Sequence, residues 1–395
     1  MTLGIYIQVP FCQTKCTYCN FHTGVVASDR YQPYANALGR EIAESSASRG
    51  MEVDSIYLGG GTPSLLEPAA LATILQTLRE VFRIVPAVPG TENSSAFPEI
   101  TLEADPETIT IEKASSWVAA GFNRISLGAQ SFNDLELKSA GRMHRRADIF
   151  HAVQFLRDAG FRNISMDLID GLPHQTRESW ENSLDETHCI RPEHLSIYML
   201  EIDEGSRLGK ESLAGGKRYS APQIPTDDSM ADFYESACVR LASEGYDHYE
   251  ISNWALPRFR SRHNLKYWRR EPYLGFGAGA HSFDGTTRWA NVHDPARYVT
   301  CIEQGVSPHE QIETVTPAQA LDEELFLGLR QLEGIDFARI ERKYTATGQG
   351  DRLAALRGRI INLRTQGLVE LDGRRLRLAP SCLTVSSEVF VELLG

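Results

Sequence analysis

Short β-type runs alternate with helix-length segments through the first half of the chain, and this alternation restricts the possible folds more than any other feature. The runs are Gly4–Val9, Ser55–Leu58, Glu99–Glu103, Arg124–Gly128, Asn163–Leu168 and His194–Met199. Between them, Tyr31–Arg49, Pro68–Phe82, Thr110–Ala120, Ala147–Ala159 and Thr176–His188 have the length and patterning of crossover helices. Strand–helix alternation of this kind predicts an α/β fold with a parallel sheet or partial barrel. Such folds place their sites at the carboxyl ends of the strands. Polar residues recur there: Cys12 after the first run, Gly60 and Thr62 after the second, Glu103 and Asp105 after the third, Gln130 after the fourth and Asp167 near the end of the fifth.

The first of these strand ends carries Cys12, Cys16 and Cys19, three thiols within eight residues. Thiolates select zinc, copper(I) or iron–sulfur clusters. A four-iron cluster on three cysteines keeps one iron open for an exchangeable ligand. Spacing alone also admits a Cys3His zinc site completed by His22, or buried free thiols. Cys189, Cys238, Cys301 and Cys382 stand singly and read as packing residues.

The formal net charge is −12, so any basic binding surface must be local and the chain as a whole does not favour nucleic acid. Residues 3–11 are apolar but lack a basic flank and are too short for a signal core or a membrane span. A cytoplasmic protein with reduced thiols is therefore expected.

A length of 395 residues allows two or three domains. Residues 1–216 read as the barrel-like core. Residues 217–310 read as an extension, entered by a helix at Ser229–Gly245, and residues 311–395 as a C-terminal domain. The segment Pro86–Pro98, rich in glycine, asparagine and serine, reads as a surface insertion. The C-terminal stretch reads as helices Leu325–Leu332, Phe337–Tyr344 and Asp351–Gln366, then two short strands joined by Asp372-Gly373, a strong hairpin signal. Helices followed by a two-stranded wing predict a winged-helix-like α+β module. Arg374, Arg375 and Arg377 on that wing read as solubilising charges.

The run Cys-x-x-x-Cys-x-Tyr-Cys, with Gly59-Gly60-Gly61-Thr62-Pro63 after the next strand, resembles the radical S-adenosylmethionine (SAM) superfamily. Within it, the first ~300 residues resemble the anaerobic coproporphyrinogen III oxidase family and its branch of HemW heme chaperones. The resemblance implies a partial (β/α)6 radical SAM barrel with a [4Fe-4S] cluster on Cys12, Cys16 and Cys19 and SAM on the open iron. It implies SAM contacts from Tyr6, Gly60, Gly61, Thr62, Glu103, Gln130, Arg142 and Asp167. Glycine at 60 and 61 suits close main-chain approach. A carboxylate can accept from ribose hydroxyls or an ammonium group, and an arginine fork can bind a carboxylate. Two departures point away from the decarboxylating enzymes and toward the chaperones. Phe21 stands where those enzymes carry a further cysteine, and the cluster motif lies close to the N-terminus rather than behind a substantial arm.

The run His263-Asn264-Leu265-Lys266-Tyr267-Trp268 resembles the His-Asn-x-x-Tyr-Trp run of the chaperone branch. The resemblance makes His263, Tyr267 and Trp268 heme candidates. An imidazole can ligate iron, and flat rings pack on a porphyrin. Arg258, Arg260, Arg262, Lys266, Arg269 and Arg270 surround the run, and cations of this kind can pair with propionates. Read by residue type alone, the run is a basic loop with a structural histidine, and His281 a second possible ligand or a buried hydrogen-bonder. The expected function is a heme carrier delivering to an apo-hemoprotein such as a respiratory one. The alternative is an oxygen-independent coproporphyrinogen III dehydrogenase. A flavodoxin- or ferredoxin-type donor is expected if SAM is cleaved, and the C-terminal module could dock the acceptor, cover the barrel mouth or mediate a homodimer.

Overall fold

In the computed structural model the residues described are 2–45, 49–86 and 97–394. Six parallel strands form the centre: β1 (Leu3–Val9), β2 (Glu52–Gly60), β4 (Glu99–Ala104), β5 (Arg124–Gln130), β6 (Ile164–Asp170) and β7 (His194–Met199), with the short β3 (Arg83–Ile84) beside β2. The crossovers are α1 (Tyr31–Glu44), α2 (Pro68–Val81), α3 (Ile111–Ala120), α4 (Asp134–Ser139) with α5 (Arg146–Ala159), and α6 (Arg177–Ile190). All six predicted strands and five predicted crossovers are present. Most of the expected insertion Pro86–Pro98 lies outside the described residues.

Residues after 200 extend the same sheet at both edges. Helices α7 (Arg207–Leu213) and α8 (Asp227–Ser243) lead to β8 (Asp247–Glu250) and β9 (Asn253–Ala255); β9 adds antiparallel to β7, and β8 antiparallel to β9 at the edge. After α9 (Arg262–Trp268), β10 (Tyr273–Phe276) pairs parallel with β1 at the far edge. There β11 (His281–Phe283), β12 (Thr287–Asn291) and β13 (His309–Thr314) continue it antiparallel, with α10 (Pro295–Glu303) between the last two.

Strict alternation decides what the barrel holds. On β1 to β7, Ile5, Ile7, Ile56, Leu58, Leu102, Ile125, Leu127, Met166, Leu168 and Leu195 are buried in the apolar core. Their alternate neighbours meet one another instead. Ser55 bonds His263, Tyr57 bonds Glu103, Ser126 bonds Asp167 and Ser165 bonds His194. Successive strand side chains point to opposite faces, so the second set lines the barrel interior. That interior is polar from floor to mouth.

The C-terminal module contains α11 (Pro317–Gly328), β14 (Ile335–Asp336), α12 (Phe337–Thr345), α13 (Gly350–Thr365), the hairpin β15 (Val369–Asp372) and β16 (Arg375–Leu378), and α14 (Ser386–Leu394). Its first helix differs from the expected Leu325–Leu332. It starts eight residues earlier, because Thr316 and Gln319 form a capping box and Pro317 occupies the first turn. The hairpin turns at Gly373, whose φ of +58° suits glycine. On the wing, Arg377 pairs with Glu370 and Arg374 with Asp336.

Candidate functional site

At the mouth of the barrel lies a cavity of about 540 Å3. Its wall includes Cys12, Cys16, Cys19, Gly60, Gly61, Thr62, Glu103, Gln130, Arg142 and Asp167. These are all of the expected cluster and SAM residues except Tyr6. Tyr6 lies deeper, its hydroxyl donating to Gln8 Oε1 at 2.7 Å.

The cysteine loop is tied down on several sides. Cys12 N donates to Gly24 O, Thr17 N to Ala140 O, and Leu208 N, in α7, to Thr17 O. Arg207 reaches the carbonyl of Lys15. Gly61 is required where it is, because a Cβ there would press on the Phe11 backbone and come within 3.0 Å of Cys12 Sγ. Burial pushes the Cys12 thiol up to about 11 and raises Cys19 as well. Bare thiolates are thus disfavoured here, and a bound cation would supply what ionises them. The three thiols, all only partly buried, open to the cavity, a donor set that fits an iron–sulfur cluster. His22 does not close a Cys3His site. It is absent from the cavity wall, and its ring packs on His293 at 4.5 Å between centroids.

Around the thiols the polar groups are held in place. Arg142 Nη1 donates to Cys16 Sγ at 3.4 Å, while Nη2 binds Gly128 O at 2.9 Å and Asp105 Oδ1 in a very short contact. A guanidinium donating to a ligand sulfur tunes a cluster's electronics. The carboxylate of Glu103 accepts from Tyr57 OH at 2.7 Å and Gly60 N at 3.0 Å. Burial, reinforced by neighbouring Asp167, pushes its carboxyl up to about 7 despite those donors. Asp167 is raised too, chiefly by burial, while Ser126 bonds it at 3.1 Å. Gln130 owes its aim to a register break in β5 after Leu127 and to a φ of +66°, the behaviour of a bulge that redirects a side chain.

Sequence reasoning passed over Tyr57 and Tyr198. Tyr198 lines the cavity at the end of β7, where the strand-end rule could have found it. Tyr57 does not reach the cavity; only its bond to Glu103 shows its role.

The heme candidates sit at the opposite end. Helix α9 closes the barrel floor, its first backbone N–H groups, Arg262 N and His263 N, donating to buried Glu99 at the start of β4. His263 is 1% exposed. Its Nδ1 bonds Ser55 Oγ at 3.1 Å and its Nε2 bonds Tyr267 OH at 2.9 Å. Burial holds its imidazole down to about 3, so it is neutral. Tyr267 is therefore with His263, whereas Trp268 faces elsewhere, its ring under Arg330 at 4.5 Å. Several of the surrounding cations are already engaged: Arg260 with Asp247, Lys266 with Asp54, and Arg270 with Glu323. The rings of Tyr57 and Tyr6 both stack beside His263, at 5.3 and 6.3 Å between centroids, and through Tyr57 contacts run unbroken from the floor to Glu103.

Comparison with known proteins bears on this arrangement. Residues 6–187 match the model described as Radical SAM superfamily, and residues 315–381 the HemN C-terminal domain. The chain is 34% identical over 391 residues to the heme chaperone HemW of Bacillus subtilis, covering 99% of this chain and 98% of that one. It belongs to the HemW heme chaperone family. The Escherichia coli HemW is 36% identical over 284 residues, 71% of this chain and 69% of that one. The fold matches the Escherichia coli coproporphyrinogen III oxidase HemN, described as a radical SAM enzyme, with a TM-score of 0.84 at 22% identity, over 99% of this chain and 90% of that one. That likeness extends the barrel-plus-module architecture of this chain to HemN. Among the described residues no helix is long and apolar enough to cross a membrane.

Proposed function

We propose that this HemW-family chain is a cytoplasmic heme carrier that loads heme and passes it to an apo-hemoprotein. Cys12, Cys16 and Cys19 would hold a [4Fe-4S] cluster, and the cavity beside them would take SAM. The near end-to-end match to HemW chaperones carries this reading. Phe21, 66% exposed where a further cysteine would stand, agrees with it. When bound, such a cluster supplies a single electron to a sulfonium. This chain's residues position and shield: Gly60 and Gly61 admit the ligand close to the main chain, Arg142 supports Cys16, and Glu103, Gln130 and Asp167 present fixed acceptors and donors.

In this reading 1–216, 217–310 and 311–395 act as cluster core, floor and docking module. An apo-hemoprotein acceptor, a flavodoxin- or ferredoxin-type donor and a homodimer complete the proposal. The His263, Tyr267 and Trp268 set could serve heme only if α9 left the floor and Tyr267 released Nε2. The completeness of the SAM-type cavity favours one rival, an oxygen-independent coproporphyrinogen III dehydrogenase. The deciding experiment is anaerobic reconstitution followed by optical titration with hemin, with coproporphyrinogen III turnover assayed on the same samples with reductant and SAM. Stoichiometric heme binding without protoporphyrinogen formation is expected. Turnover without specific heme binding would replace the carrier by the dehydrogenase.

A further inference from the structure

Three histidines that the mouth and floor leave unused converge beside the cysteine loop. His22 follows that loop, His281 opens β11, and His293 precedes the Asp294 cap of α10. The rings of His22 and His293 lie 4.5 Å apart between centroids, and those of His293 and His281 6.5 Å apart. They come from positions 22, 281 and 293, so the fold rather than local sequence assembles them. Gly279 makes the space, since a Cβ there would come within 3.1 Å of His293 Nδ1. That nitrogen has no hydrogen-bond partner. His22 and His281 are exposed.

Their surroundings are apolar on one side. Phe21, Val25 and Val26, from the same loop as His22, are 66%, 58% and 36% exposed. Phe21 also lines the cavity mouth. Partial burial of its ring, then the neighbouring His293, make His281 harder to protonate. Neutral imidazole is the form that binds metal.

We propose that this trio, through its exposed members His22 and His281, supplies the axial imidazole for a metalloporphyrin lying against the Phe21–Val26 loop. The inference rests on the carrier reading and names its ligand site. Two observations select the occupant. Among the described residues no three His, Cys, Asp or Glu side chains are placed to enclose a bare metal ion. The trio therefore suits an iron that brings four equatorial ligands of its own and needs only an axial one. A flat apolar macrocycle is also what exposed Phe21 and the two valines can cover. His263, by contrast, has both ring nitrogens engaged.

The test uses the full reconstituted chain titrated with hemin, with iron-free protoporphyrin IX as a control for adsorption. His22→Ala/His281→Ala is compared with His263→Ala, circular dichroism confirming that each is folded. Free imidazole is then added to each variant. The expected result is a Kd raised at least tenfold and a shifted Soret band in the double variant, both restored by imidazole, with His263→Ala within about threefold of wild type. Loss of ligation in His263→Ala that imidazole restores, with the double variant unchanged, would overturn the assignment while leaving the carrier standing. Failure of the wild type to bind hemin beyond the iron-free control would overturn both.

Discussion

Asp170 is the residue whose chemistry the rest of the barrel explains least. It ends β6 on the outward face, is fully buried, and neither carboxylate oxygen meets a partner. Its neighbours Ile169, Leu172, Leu200 and Met230 form a small apolar cluster. Burial pushes its carboxyl up to about 8. The folded chain thus keeps a proton that the unfolded chain, with an aspartate pKa near ~3.9, releases. Stability must then fall as pH rises from about 4 through 8, opposite in sign to a salt-bridged carboxylate. Asp170→Asn is expected to remove this component, gaining about 1–3 kcal/mol over wild type at pH 8 and little at pH 4.5. Chemical denaturation of both proteins across that range checks it; parallel curves would refute it. At this scale the cluster and cavity residues were legible in the sequence, since cysteines, glycines and carboxylates at strand ends announce themselves. The burial of His263 was not. Its partners Ser55 and Glu99 lie 208 and 164 residues away, and no local pattern encodes them.

Among the elements, α1 is tied to the sheet edge by Tyr34, whose hydroxyl accepts from Ala278 N at 2.8 Å, and by a buried carboxylate. Glu41 accepts from Gly277 N at 2.8 Å, Tyr298 OH at 2.5 Å and Asn291 Nδ2 at 2.7 Å, joining the first crossover helix to α10 and the edge strands. Glu41→Ala would leave Gly277 N and Tyr298 OH without an acceptor, while Asn291 Nδ2 keeps only its bond to Gly277 O at 2.9 Å. A loss of about 3 kcal/mol is expected, with earlier hydrogen exchange in β10 to β12 than in β4 to β6. Uniform exchange across the sheet would argue against that anchoring. The central strands and crossovers were readable because apolar periodicity and turn residues bound them. The edge strands β8 to β13 were not, because they are short and gain their identity from strands already in place. Helix α9 escaped for a similar reason: seven residues carrying His, Lys and Tyr read as a basic loop, and only the barrel floor makes them a lid.

The whole molecule is held together across its last junction by charge and main chain. Glu323 of α11 pairs with Arg270 at 2.6 Å and Arg288 at 2.7 Å. Leu332 N and Arg330 O bond Tyr249 O and Ile251 N, joining the β8 region to the C-terminal module. Glu323→Ala leaves Arg270 largely buried and unpaired, so the module should loosen before the barrel. Calorimetry is expected to show one unfolding transition in wild type and an earlier, separate module transition in the variant. One unchanged transition would show that the main-chain contacts suffice. The six strands and the winged module were legible from sequence, but not this junction, whose partners come from α9, β12 and α11.

The stacked rings of Tyr6, Tyr57 and His263 have a bearing on how variants are interpreted. They act as a strut inside the barrel, from the floor helix to the carboxylate of Glu103. Shortening the strut at its base lets Tyr57 settle and frees Glu103 at the top. A His263 substitution would thus reach Glu103 by mechanical slack alone, and any weakening it caused would fall on a ligand held at Glu103 rather than on one lying against the Phe21–Val26 loop.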